Sequence, residues 1–320
     1  MLHYPWLNTF FECVLFLAGL VFGSFLNVCI TRIPREESII HPASHCRECG
    51  KPVRWFDNVP VVSFLLLRGR CRACGTRIPY RYPAVELLTG LVFAACYVWY
   101  GPTWLTAKFC LFAFLLIGLI FMDAETGLLP HQFTYTGIVL GLTLSWLLPS
   151  DSAGTSFLLL VFRRHIESIR WLSLLDGVLG ALVGAGFFYL AWALYYLARK
   201  RHGLGFGDIA LTAMTGAFLG LKLNLLVIFC APLVTVVYIL ALLLYEQIRT
   251  PAQTREVPAG SRSAGDTLPS TAEDEDAAYQ TNEPAPFLQR ELPFGVFLGA
   301  CALAAIFFGE AAWRWYLARF

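Results

Sequence analysis

Long apolar runs separated by short polar stretches make up most of this chain. The first, Phe10 to Ile30, holds one charged residue, Glu12, and is long enough to cross a bilayer as a helix. Further runs follow at about 84–100, 104–122, 132–149, 176–198, 208–221, 224–245 and 293–315. The pattern predicts an all-α polytopic membrane protein of about eight transmembrane helices. The 208–221 run is short and rich in Gly and Thr, so neighbouring protein must shelter it. Gly177, Gly180 and Gly184 give the fifth run a small-residue face for close helix contact.

Charge sets the orientation. No Lys or Arg precedes the first run, and no credible cleavage site follows it, so it reads as a retained span with its start outside. A dense basic stretch comes next, from Arg32 and Arg35 through Arg54, Arg72 and Arg81. Positive loops stay inside, which predicts a cytoplasmic loop there. Counting spans from it returns the chain to the same face at Asp123 and again at Asp208. Arg163, Arg164 and Arg170 fall in the 149–173 insert, the one loop whose charge opposes this topology.

Composition agrees with the pattern: of 320 residues, 57% are hydrophobic and 14% charged, outside the soluble range. From Glu246 to Glu291 the chain turns to Pro, Ala, Ser, Thr and acidic residues, a composition that predicts disorder. Six of the ten cysteines are scattered through apolar runs, where they serve as small hydrophobes. The other four lie in the basic loop as Cys46-x-x-Cys49 and Cys71-x-x-Cys74, each pair followed by a glycine. Two thiolate pairs at this spacing suit a tetrahedral zinc site. Redox dithiols are the rival reading, set against a reducing compartment and no thioredoxin-like pattern. His41 and His45 are read as loop histidines, since four thiolates already complete the coordination.

Asp123 ends an apolar run and Asp208 opens one, after Gly203-Leu204-Gly205-Phe206-Gly207. Carboxylates at a membrane edge are costly and point to function. Two held close enough to share a proton cannot both ionise, so one can activate water while the other polarises a carbonyl. Glu125, two residues from Asp123, and Glu86, near the start of the second span, are the competing acids on that face. Asp176 and Glu310 map to the opposite face.

Taken together, these motifs resemble those of the bacterial prepilin peptidases, the type IV leader peptidase family of GxGD-type membrane aspartic proteases. The resemblance rests on Gly23-Ser24-Phe25-Leu26-Asn27-Val28, Arg32-Ile33-Pro34 and the two Cys pairs. Asp57 to Ser63, Arg81 to Glu86, Asp123 with Pro130, Gly205-Phe206-Gly207-Asp208 and Leu292-Pro293-Phe294-Gly295 complete it. It implies a catalytic pair, Asp123 and Asp208, that cuts prepilin or pseudopilin precursors after Gly at the cytoplasmic face of the inner membrane. It further implies S-adenosylmethionine-dependent methylation of the new N-terminus, linked with the zinc-bearing region. Membrane lipid is an expected partner and nucleic acid is not. The expected organisation is a first transmembrane helix (1–31), a zinc-binding, methylation-linked region (32–83), a peptidase core (84–245), a disordered loop (246–291) and a last helix (292–320). The family usually has Lys two residues after the second Asp, where this chain has Ala210. A proton-coupled transporter using the same aspartates and a non-catalytic pilus or secretion assembly factor of the same fold are the alternatives.

Overall fold

A computed structural model describes residues 5–149, 168–200, 205–249 and 293–319. The expected disordered loop from 250 onward, most of the 149–173 insert, Arg201 and Gly203 lie outside them. Helices follow the apolar runs: α1 (Pro5–Arg32), α2 (Val62–Leu66), α3 (Arg81–Tyr100), α4 (Trp104–Thr126), α5 (His131–Leu147), α6 (Ile169–Arg199), α7 (Phe206–Arg249) and α8 (Phe294–Leu317). Six of them are long and apolar enough to cross a membrane. The exceptions are α5, which has 17 residues, and the single-turn α2. Two expected spans, 208–221 and 224–245, are joined in α7, which is interrupted at Gly220 (φ 76°, ψ 178°). α6 starts seven residues before its expected span, and α7 runs to Arg249, into the stretch whose composition predicts disorder.

Contacts divide the described residues into a main unit, up to Thr235 and from Pro293 onward, and a second unit beginning at Val236. The described part of the second unit is the last stretch of α7. In the main unit α4 is the central helix: 67% of its apolar window is buried, against 22% for α6. Phe112 of α4 stacks on Phe218 of α7 at 4.5 Å, and Leu116, Ile117 and Leu119 are fully buried. The Gly- and Thr-rich half of α7 is enclosed as its composition requires, with Leu211, Thr212, Met214 and Thr215 inaccessible.

Small residues set the close crossings. A Cβ on Gly23 of α1 would come within 2.7 Å of the Glu86 Cα of α3, so only glycine lets these backbones meet. Gly180 of α6 and Gly216 of α7 make the same kind of contact. At the break in α7, the N–H of Leu221 donates to the Asp176 carboxylate at 3.2 Å, so α6 caps the second half of that helix. Lys108, 2% exposed, bonds Ser145, whose hydroxyl donates to the carbonyl of Ala217 three residues before the break. Asn224 adds bonds to the carbonyls of Gly180 and Thr212. Lys222 pairs with Glu310 at 2.7 Å. These polar residues belong to the framework that positions the first half of α7.

Candidate active site and metal centre

Asp123 lies one turn before the end of α4, where Gly127 (φ 63°) caps the Asp123 carbonyl through its N–H at 2.8 Å. The Asp123 side chain is 5% exposed, and its Oδ2 accepts the Val296 N–H at 3.0 Å. The Gly295 N–H is a second donor to the same carboxylate. Both belong to the first turn of α8, where the Val296 N–H is shared with the Pro293 carbonyl at 3.3 Å and the helix dipole favours an anion. Pro293 directly precedes that turn, and a Cβ on Gly295 would sit 2.8 Å from Asp123 Oδ2. The Pro-Phe-Gly element therefore delivers two donors to Asp123 and leaves the space to do so.

Asp208 occupies the first turn of α7, where its own N–H donates to the Gly205 carbonyl at 3.2 Å. It is partly buried and within electrostatic range of Asp123. Leu129, in the loop between α4 and α5, packs under both supports: its side chain lies 2.7 Å from a Cβ on Gly207 and 3.0 Å from one on Gly295. Asp208 thus lies in the first turn of α7 and Asp123 against the first turn of α8, with Leu129 as a shared apolar prop beside both turns.

The competing acids are engaged elsewhere. Glu125 is exposed and ion-paired with Arg81, which also donates to Thr31 Oγ1 at 3.0 Å and so ties α1, α3 and α4 together. Glu86 is buried and accepts the Val61 N–H at 2.7 Å, away from the aspartates. Asp176 and Glu310 are held by the bonds at the α7 break and to Lys222. Ala210 is buried, so a lysine there would have to thread out of packed surroundings. Sequence reasoning missed the donors from Gly295 and Val296; a Pro-started helix with glycine in its first turn was the available signal.

In the basic loop, Cys46, Cys49, Cys71 and Cys74 bring their sulfurs within 4.8 Å of one another. Each pair sits on a matching knuckle. The Cys46 N–H donates to Lys51 O and the Gly50 N–H to Cys46 O; Cys71 N–H to Thr76 O and Gly75 N–H to Cys71 O repeat it. Gly50 (φ 67°) and Gly75 (φ 74°) supply the left-handed turn, which explains a glycine after each pair. A tetrahedron with metal–sulfur bonds of about 2.3 Å has edges of about 3.8 Å. The Cys46 and Cys74 sulfurs are 3.8 Å apart, so this group can hold a metal ion. The Thr76 hydroxyl and N–H draw the Cys74 thiol down to about 6. Cys49, despite the Lys51 N–H that favours its thiolate, is pushed up to about 11 by desolvation and the sulfurs of Cys74 and Cys46. Four crowded thiolates call for a cation. Arg72 binds Asp57 through two nitrogens, at 2.7 and 2.9 Å, which ties the second knuckle to the turn Trp55–Asn58 and lowers the Asp57 carboxyl.

Comparison with known proteins covers both regions. Residues 17–100 match the bacterial peptidase A24 N-terminal domain, and residues 110–240 match the type IV leader peptidase family. A prepilin leader peptidase/N-methyltransferase of Aeromonas hydrophila is 31% identical, over 99% of this chain and 96% of that protein. A protein of the same description from Klebsiella pneumoniae is 40% identical, over 68% of this chain and 88% of its own length. Another, from Myxococcus xanthus, is 39% identical over 65% of this chain, which spans 56% of that protein. No solved structure matches the chain.

Proposed function

The chain belongs to the type IV leader peptidase family, and on that premise we propose that it is a membrane aspartic endopeptidase acting on prepilin-like precursors. It cuts the leader after Gly at the cytoplasmic face of the inner membrane. It then methylates the new N-terminus with S-adenosylmethionine as methyl donor, as the names of its relatives suggest. The observation that carries the peptidase half is the approach of Asp123 and Asp208 from separate helices to within electrostatic range.

Two carboxylates that interact electrostatically are costly to ionise together, which favours one proton on the pair. Donors from Gly295 and Val296 favour the charge on Asp123, leaving the proton on Asp208. Asp123 then takes a proton from the attacking water, while protonated Asp208 donates a hydrogen bond to the scissile carbonyl. Burial of Asp123 against α8 keeps bulk water from competing for it. The tetracysteine group is assigned structural zinc, because four thiolates at tetrahedral spacing leave no open position for substrate.

Purified full-length protein in lipid should convert a prepilin precursor to the shortened chain. Mass spectrometry of the product gives the cut position and any added methyl. A wild-type protein that leaves the precursor whole at every pH would overturn the peptidase reading.

A further inference from the structure

Outside the aspartate pair, one region gathers strain, buried polarity and open volume. Val61 has φ 60° and ψ −48°, in a tight turn closed by the Val62 N–H on the Pro60 carbonyl at 2.6 Å. A β-branched residue at positive φ is a costly exception that persists only where its surroundings impose it. Here the imposing group is Glu86, 8% exposed in α3, whose Oε2 takes the Val61 N–H at 2.7 Å. The Ser24 hydroxyl of α1 bonds the same carboxylate. One turn further along α1, Asn27 Oδ1 is buried with no hydrogen-bond partner among the described residues. Strained backbone around a buried acid and an orphaned acceptor marks a binding site more readily than a packing joint.

Beside this cluster runs a cleft of about 600 Å³, lined by Ser24, Phe25 and Arg32 of α1 and by Ile40, Ala43 and Asn58 of the loop. That size suits a nucleoside-sized ligand. Arg32 stands at one end with two of its guanidinium N–H groups on the carbonyls of Ser38 and Pro42, leaving others for a carboxylate. Ser24, about 12 Å away along the helix, marks the acidic end. Phe25 is 44% exposed, so the cleft is open to the surface at α1.

We infer that this cleft is the methyl-transfer site, binding S-adenosylmethionine between Arg32 and Ser24 and using Glu86, through Ser24, to deprotonate the acceptor's α-ammonium. The inference rests on the bifunctional reading above. When bound, the donor supplies a sulfonium methyl that the neutral amine takes with its lone pair, while the carbon–sulfur pair stays on sulfur and leaves a thioether. The ammonium proton must go first. It passes to the Ser24 hydroxyl as Ser24 hands its own to Glu86, and Glu86 releases it to water between turnovers. Arg81 bonds both Thr31 of α1 and Glu125 of α4, which links the helix that lines the cleft to the helix that carries Asp123.

The test uses full-length protein in lipid, titrated with radiolabelled S-adenosylmethionine, with precursor cleavage and zinc content read alongside. Ala43→Trp and Ile40→Trp fill the cleft from exposed loop positions and should each weaken donor binding about tenfold or more. Glu86→Gln should slow methylation about tenfold near pH 7 relative to cleavage in the same preparation, since only about a tenth of an α-amine is neutral there without a base. The wild-type rate should return as pH rises past about 8, where the amine deprotonates without help. Unchanged donor affinity in both Trp variants, or wild-type methylation by Glu86→Gln, would overturn the site while leaving the bifunctional reading intact. A wild-type chain that cleaves but neither binds the donor nor methylates overturns both the site and the methylation half of that reading.

Discussion

At the scale of single residues, geometry separates three acids that composition treats alike. Asp123 is bound to the first turn of α8 and acts electrostatically on Asp208, whereas Glu125 is paired with Arg81 in solvent. Asp123→Asn and Asp208→Asn should each lower cleavage about a thousandfold, the scale of a lost general acid or base. The double variant should be little worse than either single one. Glu125→Gln should keep most activity, and single-turnover cleavage of a prepilin precursor separates these outcomes. Gly295→Ala is a sharper probe, since its Cβ would press on Asp123 Oδ2 at 2.8 Å. Turnover should fall about tenfold, equivalent to about 1.4 kcal/mol of barrier, with precursor binding kept. A Gly295→Ala enzyme with normal turnover would mean that Asp123 need not sit against α8.

Among the elements, α7 and the tetracysteine loop are each organised by positions where glycine holds a positive φ. Gly220 breaks α7 and leaves room for Asp176, whose Oδ2 would lie 2.0 Å from an added Cβ. Gly220→Ala should cost about 1–3 kcal/mol or prevent accumulation, read as a lower unfolding temperature in detergent. Near-wild-type stability would show that the break relaxes freely. In the loop, metal and fold are linked, because thiolates repel until a cation joins them. Cys74→Ser should abolish stoichiometric zinc and expose residues 42–80 to protease, and acid should do the same to the wild type as protons displace the metal. Elemental analysis that finds no zinc in wild-type protein would remove the structural-metal assignment.

For the whole molecule, topology is the testable property. Leu128, 55% exposed past the end of α4, and Trp104, 75% exposed at its start, lie at opposite ends of one spanning helix. Leu128→Cys should react with a membrane-impermeant thiol reagent from the cytoplasmic side and Trp104→Cys from the other, each measured above wild-type labelling. Labelling of both from one side would sink the proposed orientation. The helices themselves were legible in the sequence, because a bilayer demands about twenty apolar residues per crossing and hydropathy records that locally. The metal loop was equally legible, since two Cys-x-x-Cys-Gly knuckles carry their own geometry within a few residues. Span parity also predicts that Asp123 and Asp208 share a face. What hydropathy could not supply was contact between distant segments. Val296 reaches Asp123 across 173 positions, and Val61 is bent into its turn by an acid 25 residues away. The break between two expected spans at Gly220 likewise involves another helix, since Asp176 of α6 accepts the Leu221 N–H there. Periodicity and spacing are properties of a segment and its solvent, but which carboxylate is capped, paired or strained is decided only when helices pack and their polar groups must find partners out of water.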